Sequence, residues 1–217
     1  MELMTRYDRS LWILAICLTC LTGYVDALGF LELDGFFVSF MSGNSTKLGV
    51  GLSEGGGDAG VAAGLIASFV LGIICGSIAG AFSKAHRRLV VLLLVAALLG
   101  AAALLHGVGW TDYTLFIVAL AMGIENAVFE QDREVPAGVT YVTGTLVKLG
   151  QRIAAALRGG DRLAWVPFLL LWLGLITGAL VGAAVYPALG LNGLWIAAAA
   201  ALVLAIFANR IGASAPD

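Results

Sequence analysis

The chain has 217 residues, 60% of them hydrophobic and only 12% charged, where an ordinary soluble domain carries about 25% charged residues. With a mean hydropathy of +0.98, this inventory excludes a water-soluble globular domain and indicates a polytopic membrane protein. The formal charge of −2, with no basic cluster of more than a few residues, leaves no footprint for nucleic acid.

A spanning helix needs about 20 mostly apolar residues, roughly 30 Å at 1.5 Å per residue. Six runs meet or approach this: 11–31, 59–82, 89–108, 113–129, 163–189 and 191–208. The first run continues past Asp26 without a small-residue cleavage site, so it reads as a span and not as a signal peptide. Cys17 and Cys20 lie inside it, and His86 and His106 are far along the chain. The C-x-x-C pair therefore reads as small apolar helix residues, and no metal or cofactor is expected. Glu125 interrupts the fourth run, the shortest. The fifth has Pro167 near its start and Pro187 near its end, where helix breaks are tolerated.

Orientation follows from the placement of Lys and Arg. With a cytoplasmic N-terminus, the inner segments hold eleven basic residues, including Lys84, Arg87, Arg88, Lys148, Arg152, Arg158 and Arg210, and the outer segments hold Lys47 alone. An even number of spans returns the C-terminus to the cytoplasm. The expected location is a bacterial inner membrane with both termini inside.

The two halves resemble each other in their polar residues. Gly23-Tyr-Val-Asp-Ala27 recurs as Gly123-Ile-Glu-Asn-Ala127, and Val38–Gly49 (VSFMSGNSTKLG) recurs as Val139–Gly150 (VTYVTGTLVKLG). Gly72, Gly76 and Gly80 recur as Gly174, Gly178 and Gly182. Each half, 1–110 and 111–217, holds three spans, so the second must run upside down relative to the first. The expected fold class is an all-α polytopic membrane protein, a 3+3 inverted-topology repeat of the kind found in secondary transporters. The glycine ladders are expected to be a packing groove that lets helix backbones approach closely.

The motifs at 37–49 and 138–150 are too polar for plain spans. In each, β-branched and aromatic residues precede a Ser/Thr-Gly step and a more helix-friendly run. This pattern predicts a short extended piece that dips into the membrane and leads into a half-helix, with Ser42 or Thr143 near the N-cap. Irregular backbone at membrane depth survives where it is buried in protein or lines a wet cavity. Two half-helix N-termini approaching near the midplane would favour an anion or carboxylate. The candidate substrate-binding residues are Asp26, Ser42, Gly43, Asn44, Lys47, Glu125, Asn126, Tyr141, Thr143, Gly144, Thr145 and Lys148. The alternative is a pair of interfacial loops whose polar residues only cap short helices.

Asp26 and Glu125 are the acids well inside the spans, and each would cost about 2.5–3.5 kcal/mol at a helix centre on insertion scales. Proton binding by Asp26, together with Glu125, is one reading. A structural lock, with the carboxylate paired to Lys47, Lys148 or backbone donors, is the other. Lys148 sits with Arg152 and Arg158 and reads as a snorkelling residue. Lys47, alone on the outer side, reads as having a specific role.

GYVDALGFLELDGFFVSFMSGNSTKLG, followed by AMGIENAVF and VTYVTGTLVKLG, resembles the YoaK-like family of small bacterial membrane proteins with six predicted spans, a domain of unknown function. The resemblance covers nearly the whole chain. It implies an integral membrane protein, usually suggested to be a transporter, with no settled substrate. It also implies that the position of Glu125 is more often an amide, which makes Asp26 the better candidate for an essential charge.

Three function classes follow. The first is a secondary transporter or permease for a small polar or anionic solute, proton-coupled through the buried acids, with a midplane site between the repeats. The second is a structural or accessory membrane subunit. The third, an intramembrane enzyme, is disfavoured because neither His-Glu-x-x-His nor Gly-x-Ser-x-Gly occurs. The expected partners are the lipid bilayer and a small molecule or ion, with homo-oligomerisation left open.

Overall fold

In the computed structural model, residues 6–130 and 142–213 are described. These form eight α-helices: α1 (Arg6–Glu32), α2 (Met41–Glu54), α3 (Asp58–Phe82), α4 (Arg87–Gly107), α5 (Thr111–Glu125), α6 (Val142–Leu157), α7 (Val166–Leu189) and α8 (Leu194–Ala213). Among the described residues there is no strand. A 3-10 turn, Asn126–Phe129, prolongs α5, and another, Gly190–Gly193, joins α7 to α8.

Among the described residues, four stretches are long and apolar enough to cross a membrane: Arg9–Glu32, Asp58–Phe82, Lys84–Gly107 and Val166–Ile211. The fourth holds both α7 and α8, broken at Gly190, which takes a positive φ of 54°. Tyr113–Phe129 is a shorter apolar helix. Pro167 falls in the first turn of α7, where its missing N–H leaves no bond unmade, and Pro187 lies within the last turn.

The buried centre is built from one face of each long helix. On α4 it runs Val91, Leu92, Val95, Leu99, Ala102 and Ala103, the spacing of a helical seam, and it packs on α8 and α5. The opposite faces expose large apolar side chains, such as Leu71 and Ile78 on α3, Leu180 on α7 and Val203 on α8. Water would penalise such a surface, whereas a bilayer accepts it. Since lipid tails are as apolar as leucine, close packing and hydrogen bonds must hold the helices together.

Two helix pairs pack most closely, α1 on α7 and α5 on α3. Glycines allow the approach. A Cβ built on Gly182 of α7 would lie 2.5 Å from the Tyr24 oxygen and 3.1 Å from Ala27 Cβ on α1. One built on Gly76 of α3 would lie 2.9 Å from the Ile124 oxygen and 3.0 Å from Ala127 Cβ. Likewise, Gly178 faces the Cys20 carbonyl as Gly72 faces that of Leu120, and Gly23 faces Leu175 as Gly123 faces Phe69. By contact, then, Gly72 and Gly76 correspond to Gly178 and Gly182. This is one rung, four residues, further along than the sequence pairing of Gly72 with Gly174, and the path from motif to span is longer in the second half, with the link 158–165 in place of 55–57.

Candidate functional site

The first polar motif folds back along α1. After α1 ends at Glu32, residues 33–40 turn without regular structure, and Asp34 and Gly35 take positive φ. The chain then returns to the level of Asp26, six residues back from the helix end, or about 9 Å along the axis. There the Asp26 Oδ1 accepts hydrogen bonds from the Val38 and Ser39 amides, each at 2.9 Å. The side chain of Val38 fills the space over Gly29, where a Cβ would come within 2.7 Å of Val38 Cγ1. Backbone donors that would be unpaired at this depth thus find a carboxylate, which bonds them more strongly than a neutral oxygen would.

Asn44 fixes the entry to α2 from the other side. Fully buried, it accepts a bond from the Phe37 amide at 3.0 Å and donates to the Phe37 carbonyl at 2.6 Å, so one amide side chain closes both backbone groups of one residue. The helix begins at Met41 with Phe40 in the N-cap position and no side-chain cap bond. Ser42 is therefore not the cap: it is the second helical residue and is exposed. Gly43 lies under the Phe37 and Phe40 rings, with a built Cβ 3.0 Å from each. The half-buried Lys47 places its ammonium 4.1 Å from the centre of the Phe36 ring, a cation–π contact. Lys47 is thereby tied to its own motif.

In the second motif, residues 138–141, Tyr141 among them, lie outside the described residues. On α6, Gly144 and Thr145 are buried, while Thr143 and Lys148 are exposed. Gly144 and Thr145 thus match the covered Gly43 and Asn44, and Thr143 matches the exposed Ser42. The two half-helices do not meet. Among the described residues α2 packs on α3 and α6 on α7, with no contact between α2 and α6. Among the described residues the N-termini of α2 and α6 therefore do not touch each other.

Glu125 and Asn126 stand at the end of α5. Glu125 is fully buried and faces Thr22 of α1, whose Oγ1 lies 3.0 Å from Glu125 Oε2. The Asn126 side-chain amide donates to the Met122 carbonyl at 2.9 Å, bonding back along its own helix where the α-helix tightens to 3-10. The structure therefore separates the two acids. Asp26 organises the first motif, and Glu125 sits at the α1–α5 contact.

Several residues of this framework carry no clear sequence signal. Thr22 is a single hydroxyl in an apolar run. Arg87 counts in the sequence as one more inner positive charge. In the structure it is buried, donates from Nε to the Ala127 carbonyl at 2.9 Å and pairs with Glu130, closing the end of the α5 segment. Tyr24 donates to the Gly193 carbonyl at 2.9 Å, and Tyr186 donates to Glu32 at 2.8 Å, so two phenols pin α1 to the turn after α7 and to α7 itself.

A model for a protein family of unknown function, DUF1275, matches residues 14–207. The chain belongs to this family. It is also 42% identical, over 198 residues, to the UPF0700 transmembrane protein RA0705 of Rhizobium meliloti (strain 1021), an alignment covering 91% of this chain and 86% of that protein. The family agrees with the resemblance carried by the Gly-Tyr-Val-Asp-Ala and Ser-Gly-Asn motifs, and with the long apolar helices it establishes a membrane protein. No solved structure matches the chain significantly.

Proposed function

We propose that the chain is a secondary transporter or permease for a small polar or anionic solute, built as a 3+3 inverted repeat of six spans. The observation that carries this is the matched packing of α1 on α7 and α5 on α3. The contacts made by Gly182 and Gly178 with α1 map onto those made by Gly76 and Gly72 with α5 by one constant shift of each helix. Each of these contacts joins one half to the other, so two halves of opposite direction meet through a pair of equivalent interfaces, the arrangement on which alternating access rests in such repeats.

The spans in this reading are α1, α3, α4, α5 with its 3-10 turn, α7 and α8, with both termini cytoplasmic as the Lys and Arg distribution favours. α2 and α6 are the half-helices, entering from opposite sides. The return of residues 36–40 to the level of Asp26 supports re-entry of the first. Asp26 and Asn44 act as positioning residues for that segment, since their polar atoms are engaged by its backbone. The exposed Ser42, Thr143 and Lys148, on half-helices that stand apart, are the candidate groups left to face a solute between the halves.

The test is direct. Purified protein is screened for thermal stabilisation by small carboxylates, inorganic anions and amino acids, and hits are assayed for uptake into liposomes. Uptake that Ser42→Leu and Thr143→Leu each reduce at least tenfold is expected. A screen without a stabilising solute, with no uptake above empty liposomes, would count against transport. Recovery of a stable hetero-complex in mild detergent would instead indicate an accessory subunit.

A further inference from the structure

Glu125 has two carboxyl oxygens and, among the described residues, a single hydrogen-bond partner. Oε2 lies 3.0 Å from Thr22 Oγ1, and Oε1 is buried without a partner among the described residues. Thr22 Oγ1 is also 2.9 Å from the Leu18 carbonyl, one turn back on α1. A threonine hydroxyl has one hydrogen and cannot donate it to both acceptors. With Glu125 ionised, the two acceptors compete for that hydrogen. One short contact then sets lone pair against lone pair, and a full charge sits dry with one oxygen bare. With a proton on Oε2, both contacts are filled: the acid donates to Thr22, and Thr22 donates to Leu18. Only a neutral carbonyl oxygen is then left over. An unpaired buried charge costs far more than an unpaired neutral acceptor.

No neighbour supplies a compensating positive charge among the described residues. The titratable and charged groups at this level of the elements packed against α5 are Cys20, Tyr24 and Asp26 on α1, Cys75 on α3 and Arg87 and Arg88 on α4, with Glu130 just past the 3-10 turn, and none of them bonds or pairs with Glu125. Asp26 is itself an acid and holds the Val38 and Ser39 amides. Cys75 is exposed. Arg87 is turned to the Ala127 carbonyl and to Glu130.

We infer that Glu125 is a proton-binding site, a neutral carboxylic acid whose O–H donates to Thr22 and closes the α1–α5 contact. Drawing the proton away needs water or a cation at Oε1, and the site is sealed as long as α1 lies on α5. Proton release and the parting of these helices are therefore linked. The assignment rests on the α1–α5 geometry and holds whether or not the chain moves a solute.

Infrared spectroscopy of the purified protein in lipid tests it, with glutamate carrying 13C in its side-chain carboxyl so that Glu125 is separated from Asp26. The expected result at neutral pH is a label-sensitive C=O stretch of a protonated acid, lost in Glu125→Gln and shifted in Thr22→Val, which removes its hydrogen-bond partner. If Glu125→Gln fails to fold, the label-sensitive acid band of the wild type and its shift in Thr22→Val decide the matter. A spectrum whose label-sensitive bands all come from ionised carboxylates overturns the assignment, as does an acid band that persists in Glu125→Gln. Solute movement plays no part in the measurement, so its outcome is separate from that of the uptake assay.

Discussion

Gly178 of α7 lies against the backbone of Cys20 on α1. A methyl group there would sit 2.7 Å from the Cys20 carbonyl carbon and 3.0 Å from its Cα, with the carbonyl oxygen nearer still. Carbon atoms rest at about 3.5–4.0 Å, so α1 and α7 must part by about 1 Å to admit it. Overpacking costs about 1–3 kcal/mol, and the upper end applies because backbone atoms cannot rotate away. Alanine's better helix propensity returns about 1 kcal/mol. The expected net loss for Gly178→Ala is about 2 kcal/mol, or a Tm lower by about 4–8 °C for a chain of this size. Gly72→Ala, placed against Leu120 on α5, should behave alike. Gly60→Ala is the control. Nothing lies within 4 Å of its Cβ, so the propensity gain stands alone and Tm is unchanged or raised. Thermal unfolding of the three variants in mild detergent, followed by tryptophan fluorescence, compares them side by side. Equal Tm values for Gly178→Ala and Gly60→Ala would refute the close approach of α1 and α7.

Asp26→Ala leaves the Val38 and Ser39 amides without their acceptor and should destabilise the protein by about 2–3 kcal/mol. Asp26→Asn keeps an acceptor oxygen and should recover more than half of that by thermal unfolding. An alanine variant as stable as wild type would remove the structural role of Asp26. Asn44→Asp can accept from the Phe37 amide but not donate to its carbonyl. Labelling of a cysteine at Ser39 in that background should be faster than in wild type, and unchanged labelling would argue against the clamp. Arg87→Ala should cost about 2 kcal/mol, and Arg87→Lys should restore little of it, because lysine lacks the Nε donor that meets Ala127 beside the charge that pairs with Glu130. Full recovery of Tm in the lysine variant would show that charge alone matters. Finally, single cysteines at Ser45 and Leu146, both exposed, should be labelled from opposite sides of the membrane once Cys17, Cys20 and Cys75 are replaced. Labelling from one side would end the inverted-repeat proposal.

The sequence reading of 113–129 as one apolar unit matches α5 and its 3-10 turn, and that of 163–189 differs from α7 by three residues at the start, where the helix waits for Val166 and Pro167. Other features were legible only in outline. Ser42 looks like an N-cap because small hydroxyl residues usually fill that role. The helix starts one residue before it because Asp26, a distant acid, and Asn44, inside the helix, already hold the entering backbone. A carboxylate reaching across twelve residues competes with the local cap and wins, and local pattern cannot register it. Direct contact of the two half-helices is absent for the same reason: equivalence in sequence does not imply contact in space, and among the described residues α2 lies on α3 and α6 on α7.

What the sequence determines by itself is the solvent and the kind of element. So apolar a chain belongs in lipid, where the backbone must satisfy its own hydrogen bonds, and length and composition then delimit the helices. What only the tertiary structure decides is which helix meets which, and in what register. The glycine ladder of α7 could be laid on that of α3 at more than one rung, since glycine carries no side chain to distinguish one rung from the next. The register is set by which carbonyls on α1 and α5 come against bare backbone. The same holds for the acids. Asp26 and Glu125 look alike as buried carboxyls in a span, but folding puts two amide donors at one and a single shared hydroxyl at the other.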